Sequence, residues 1–81
     1  MSDKSFDDVL GKRLAEVRRS LAISQEYLAT MLRKDQTFVS KVETGKRSLT
    51  VHDFIGWIKA LNLSEQEISE LYLNLKKSHD E

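Results

Sequence analysis

The sequence predicts an all-α domain, a bundle of five short helices crossing steeply around one core. Three observations lead there. No alternating apolar–polar run reaches strand length, and nothing recurs at a fixed period. Apolar residues instead recur three and four positions apart in five separate segments, each preceded by a capping residue. A length of 81 residues holds one core and not two. A chain of this size buries only about 60% of the surface it exposes when unfolded, so its stability is modest.

The first helix is expected over about residues 6–20, where Phe6, Leu10, Leu14, Val17 and Leu21 form one stripe. Ser5, three residues before Asp8, reads as its N-cap and leaves residues 1–5 as a short flexible tail. Ser24 opens a second helix, about 25–32, with Leu28, Ala29 and Leu32 inward. Asp35 opens a third, about 36–43, which turns Val39 and Val42 inward and ends at Thr44-Gly45, the glycine supplying a left-handed residue. Thr50 with Asp53, then Ser64 with Glu67, have capping-box spacing. They start a fourth helix, about 51–61, with Val51, Phe54, Ile55, Ile58 and Leu61 inward, and a fifth, about 65–78, with Ile68, Leu71, Tyr72 and Leu75 inward. Asn62 stands at the left-handed end of the fourth. Residues 79–81 read as a frayed C-terminus, so the single domain spans 6–78.

Composition excludes several function classes. With no Cys, there is no disulfide framework, thiolate zinc site or catalytic thiol. His52 and His79 lie far apart without clustered acids, so no metal is expected. No Gly-rich phosphate loop, Ser-His-Asp arrangement or catalytic carboxylate pair occurs, so neither an enzyme nor a cofactor is expected. The apolar stretches are only a few residues long, and Met1–Phe6 lacks the basic and apolar regions of an export signal. No membrane partner is expected, and a cytoplasmic location is the default.

Thirteen basic and thirteen acidic residues cancel, but they are not evenly spread. Residues 11–47 hold nine basic residues against four acidic ones, a net of +5. Residues 1–10 carry a net of −2 and residues 48–81 a net of −3. A neutral total therefore conceals a positive segment between two negative ones.

The positive segment contains a more specific arrangement. Only Arg33-Lys34-Asp35 separates the second helix from the third, and so short a link forces a steep crossing with a small residue, Ala29, where the backbones meet. This is a helix-turn-helix over about 25–43, whose second helix faces outward. With Val39 at 0°, Ser40, Thr44, Thr37 and Lys41 fall at about 100°, 140°, 160° and 200° on that outward face. Gln36 stands at its leading edge. Gln pairs with adenine N6 and N7, Lys reaches guanine O6 and N7, and Thr and Ser donate or accept.

Ser24-Gln25-Glu26-Tyr27-Leu28-Ala29, followed by Phe38-Val39-Ser40-Lys41-Val42-Glu43-Thr44-Gly45-Lys46-Arg47, resembles the pattern S-Q-x-x-L-A … V-S-x-x-E-x-G-x-R. That pattern marks the Cro/phage-repressor (XRE-type) family of bacterial DNA-binding regulators, and the likeness runs from about Leu10 to Leu63. The resemblance implies the lambda-repressor-like five-helix fold. It implies base reading from Gln36, Thr37, Ser40 and Lys41, and DNA-backbone contacts from Gln25, Thr44, Lys46 and Arg47. For Arg33 and Lys34, in the turn, a backbone contact and a merely solvated role stay equally open. Arg18 and Glu43 match a family ion pair that fixes the recognition helix. Two family glycines are replaced, by Ala22 and Arg33, which puts the crossing angle in question.

The family binds as two-fold dimers on inverted half-sites about 34 Å apart. Trp57 and Leu73 lie off the apolar stripes of their helices and are the candidate dimer contacts. The expected function is a homodimeric transcriptional repressor of double-stranded DNA. The nearest rival is an antitoxin that represses its own operon and binds a toxin protein. Restriction–modification controllers and phage repressors are further variants, and a protein-interaction module without DNA binding is the rival from another class.

Overall fold

The computed structural model describes residues 3–80, and the side chains of residues 6–79. Five helices follow one another: α1 (Asp3–Ser20), α2 (Gln25–Leu32), α3 (Gln36–Glu43), α4 (Val51–Leu61) and α5 (Glu65–Asp80). Local chemistry sets most of these ends. Ser24, Asp35 and Thr50 hold extended backbone, and each side-chain oxygen accepts from the backbone N–H three residues on, at 3.0 Å in all three cases. Ser64 and Glu67 complete a reciprocal box: Glu67 N–H donates to the Ser64 hydroxyl at 3.1 Å, and Ser64 N–H donates to the Glu67 carboxylate at 2.8 Å.

Three non-glycine residues close helices in the left-handed region: Ala22 (φ 59°), Arg33 (φ 58°) and Asn62 (φ 53°). Each costs roughly 1 kcal/mol or more for the first two, since Asn alone tolerates this backbone well. The sharp turn is kept without glycine because it satisfies carbonyls. Arg33 N–H reaches the Thr30 carbonyl at 3.1 Å, and Lys34 N–H reaches Ala29 at 2.9 Å. The turn between α2 and α3 therefore keeps its left-handed geometry with Arg33 in place of a glycine.

The core comprises Leu10, Leu14, Leu28, Ala29, Phe38, Val39, Val42, Trp57, Leu61 and Leu71. Trp57 is fully buried, with the Phe38 ring 6.3 Å away at a tilt of 47°. It is a core residue, which removes it from any dimer surface. The inward face of α4 is Phe54, Trp57, Ile58 and Leu61, whereas Val51 and Ile55, one turn apart on the adjoining strip, are exposed. Reading Val51 and Ile55 as core rotated the expected face and pushed Trp57 outside it. Val51, the first residue of α4, is 78% exposed. Tyr72, expected inward on α5, is 58% exposed.

The termini also differ. Helix α1 begins at Asp3 and not at 6, so Ser5 lies within the helix and is not its cap. No Gly or Pro interrupts the segment before Phe6, and acidic residues favour a helix start. Helix α5 runs to Asp80, and the His79 ring meets Phe6 edge-on at 5.9 Å, which joins the two ends of the chain. Residues 1, 2 and 81 of the expected tails lie outside the described residues.

Gly11 sets how closely α1 approaches α3. A Cβ there would overlap the Val42 carbonyl oxygen and come within 2.9 Å of the Glu43 carbonyl. Backbone on both sides leaves nothing flexible to move. Gly11→Ala should therefore cost about 1–3 kcal/mol, visible as a lower urea midpoint at unchanged slope.

Candidate nucleic-acid interface

The third helix is held from behind by a buried carboxylate. Glu43, in its last turn, receives Arg18 from α1 through two bonds: Nε donates to Oε2 at 2.7 Å and Nη2 donates to Oε1 at 3.0 Å. The two side chains are only 8% and 3% exposed. Arg18 Nη1 also donates to the Ile23 carbonyl at 2.7 Å, so one guanidinium ties α1, the α1–α2 link and α3 together.

Gln25 and Gln36 extend this network to the surface. A carboxylate only accepts, so Gln25 must turn its amide nitrogen toward Glu43, where Nε2 donates to Oε1 at 2.8 Å. The Gln25 carbonyl oxygen is left facing α3 and accepts from Gln36 Nε2 at 3.2 Å. Gln36 keeps its Oε1 and one N–H for anything that approaches from outside.

Gln36, Thr37 and Lys41 are exposed and Ser40 half-buried on the outward side of α3. Thr44 donates its hydroxyl to the Ser40 carbonyl at 2.9 Å, leaving its oxygen as an acceptor. Thr37 and Lys41 form a ridge between two grooves. One is lined by Gln25, Gln36, Ser40, Thr44 and Lys46 beside the ridge, the other by Lys34, Asp35, Phe38 and Arg47. The structure thus separates Arg47 from Lys46 and Thr44, with which sequence order had grouped it.

Arg47 lies over the Phe38 ring, its Cζ 5.0 Å from the centroid, and Lys34 Nζ lies 5.1 Å from the same centroid. Sequence reasoning passed over Phe38, because its position on the wheel gives no sign of cations arriving from two loops. Among the described residues, salt bridges join Arg13 to Glu16 and Arg18 to Glu43. Arg33, Lys34, Lys41, Lys46 and Arg47 have no carboxylate within 4.0 Å there. Leu73 lies on α5, 57% exposed, and lines neither groove.

This is a surface with uncompensated positive charge flanking a ridge of hydrogen-bonding side chains. Among the described residues, no helix is long and apolar enough to cross a membrane.

A helix-turn-helix family model matches residues 14–68. Among solved structures, the restriction–modification controller protein C.AhdI from Aeromonas hydrophila is similar, with a TM-score of 0.76 and 28% identity over 83% of this chain and 97% of that one. A mutant of the restriction–modification controller C.Esp1396I gives a TM-score of 0.74 and 25% identity over 89% and 87%. The clp gene regulator ClgR from C. glutamicum, at 19% identity, shares the fold with a TM-score of 0.78 over 90% and 91%. No curated protein matches the sequence.

Removing one partner of the buried pair leaves the other as an uncompensated charge. Glu43→Ala should cost about 3–5 kcal/mol. The double change Arg18→Met with Glu43→Leu should recover most of that, as read by denaturant unfolding of all three proteins.

Proposed function

This chain belongs to the helix-turn-helix family of DNA-binding transcriptional regulators, of the Cro/phage-repressor type, and from that premise we propose that it is a homodimeric repressor of a pseudo-palindromic operator. The observation that carries the reading is the outward ridge of α3, set between two grooves lined by uncompensated cations. In this reading Gln36, Thr37, Ser40 and Lys41 meet base edges in the major groove. Gln25, Thr44, Lys46 and Arg47 meet the sugar–phosphate backbone, where charge gives affinity without sequence. Gln25 does so while bonded to Glu43 and Gln36, so it also orients the amide that reads the base.

A more specific form of the same reading is a restriction–modification controller. Its support is the 28% identity to C.AhdI across 97% of that chain. An operator found upstream of a restriction gene and of this chain's own gene would favour it over a stand-alone repressor.

For the dimer, Leu73 with its exposed neighbour Tyr72 offers an apolar surface on α5. Sedimentation of Leu73→Glu should show a monomer where the parent chain is a dimer. An unchanged dimer excludes Leu73.

Selection from a random-sequence DNA pool tests the central reading. The expected product is an inverted repeat, and Gln36→Ala should relax one position in each half-site, with a loss of about 1–3 kcal/mol of discrimination. A pool without enrichment would overturn sequence-specific regulation.

A further inference from the structure

The chain has three glycines, and contacts explain two of them. A Cβ at Gly11 would overlap the backbone of α3, and one at Gly45 would collide with Asp8. Gly56 is different. It lies in the middle of α4, where glycine destabilises a helix relative to alanine. A Cβ there would meet only Leu32 Cδ2, at 3.7 Å, an ordinary contact. Neither packing nor a left-handed backbone calls for glycine at this position. The side chain it lacks would stand in the wall of a cavity of about 270 Å³, between the end of α2 and the first turns of α4.

The lining of that cavity is of two kinds. Leu32, Phe38 and Gly56 make part of it apolar, and Arg33, Lys34, His52 and Asp53 make the rest polar. Asp53 is its one acid, and it forms no salt bridge with Arg33, Lys34 or His52 within 4.0 Å. Two permanent cations against one carboxylate leave the lining net positive, before any charge on His52. Lys34 Nζ stands 5.1 Å from the centroid of the Phe38 ring, and that ring is fixed from behind by Trp57. Cations and an aromatic surface thus border one small space.

We infer that this cavity is a binding site for a small aromatic carboxylate. Its volume lies just below the range of about 300–1,000 Å³ usual for small-ligand pockets, which limits the guest to a single ring. A carboxylate only accepts hydrogen bonds, and Arg33, Lys34 and a ring N–H of His52 are donors. The ring it carries fills the space beside Gly56 and packs on Leu32 and Phe38. An inorganic anion would leave that apolar lining bare, and a neutral ring would leave the cations unmatched. The site shares Lys34 and Phe38 with the groove of Arg47, and no residue with the groove of Gln25, Gln36 and Lys46. A guest there touches the turn between α2 and α3 without covering Gln36 or Ser40. The inference does not depend on what α3 reads.

Benzoate is the probe, and the chain's one tryptophan is the reporter, because Trp57 packs on Phe38. Titration should give a saturable change in Trp57 emission, with amide NMR shifts centred on Leu32, Arg33, Lys34, His52 and Gly56. Benzyl alcohol has the ring without the charge, and inorganic phosphate has charge without the ring. Each should bind about tenfold more weakly than benzoate or worse. Lys34→Gln and Arg33→Asn should each weaken benzoate about tenfold, the loss of one charge-assisted hydrogen bond. Asparagine keeps the left-handed backbone that Arg33 adopts. Gly56→Leu fills the cavity and should abolish binding, with thermal unfolding to show that the protein is folded. Gly56→Ala has room for its methyl group, so it should raise the thermal midpoint and weaken benzoate in the same direction. No saturable response to benzoate would overturn the site, as would either control binding as tightly as benzoate. Folded Gly56 variants that bind benzoate like the parent chain would overturn it too. None of these measurements uses DNA, so their failure is distinct from a failure of the regulator reading.

Discussion

The structure depends most on the carboxylate of Glu43. It is buried, it can only accept hydrogen bonds, and its donors come from α1 and α2 while it rides on α3. Those facts fix more than one ion pair. Arg18 can satisfy both oxygens only if the end of α1 lies beside the end of α3, an approach that Gly11 permits by having no Cβ. Gln25 can reach the same carboxylate only if α2 crosses α3 near its start. Its amide polarity, dictated by the acceptor, then sets that of Gln36 at the surface. A buried pair of this kind contributes little net stability. What it gives here is a register: three helices and one exposed amide whose relative positions follow from a single charge.

Charge distribution follows the same logic at larger scale. The chain is neutral in total, and a neutral protein has no long-range attraction to a polyanion. The relevant quantity is local. Lys34, Lys41, Lys46 and Arg47 converge on the two grooves beside α3, whereas Glu65, Glu67 and Glu70 lie on α5. Within a Debye length of about 8 Å at physiological salt, an approaching anion meets the near face and is screened from the acidic one. Net charge alone would have argued against the function that segregation supports.

Much of the fold was legible because its determinants are local. A serine, aspartate or threonine before a helix, or an asparagine after one, acts within four residues, and Ser24, Asp35, Thr50, Ser64 and Asn62 all stand where those short-range rules put them. The burial of Trp57 is not legible in its helix alone, because a helical wheel shows the spacing of one helix and not how its neighbours embrace it. Helix α4 is covered on the side of Phe38 and Leu32, which turns the buried face toward Trp57 and away from Val51 and Ile55. Sequence adjacency likewise does not show that Arg47 and Lys46 line different grooves. Adjacent in sequence, they leave a left-handed turn on opposite sides of a ridge, and only a third residue from another turn, Phe38, shows where one of them goes.

The shortness of α3 is itself explained by this geometry. A longer helix would carry Lys46 and Arg47 onward along its axis, with both facing whichever way the 100° step took them. Gly45 prevents that. Its left-handed backbone breaks the helix immediately after Thr44, and the space beside it is occupied by Asp8, which would meet any Cβ placed there. The turn is therefore braced by α1, as the last turn of α3 just before it is braced by Arg18. Asp7 adds to it, accepting the Ser48 hydroxyl at 2.5 Å. Helix α1 thus supports both the carboxylate that orients Gln25 and Gln36 and the turn that separates Lys46 from Arg47, so under the proposed reading its packing on α3 bears on specificity and affinity together.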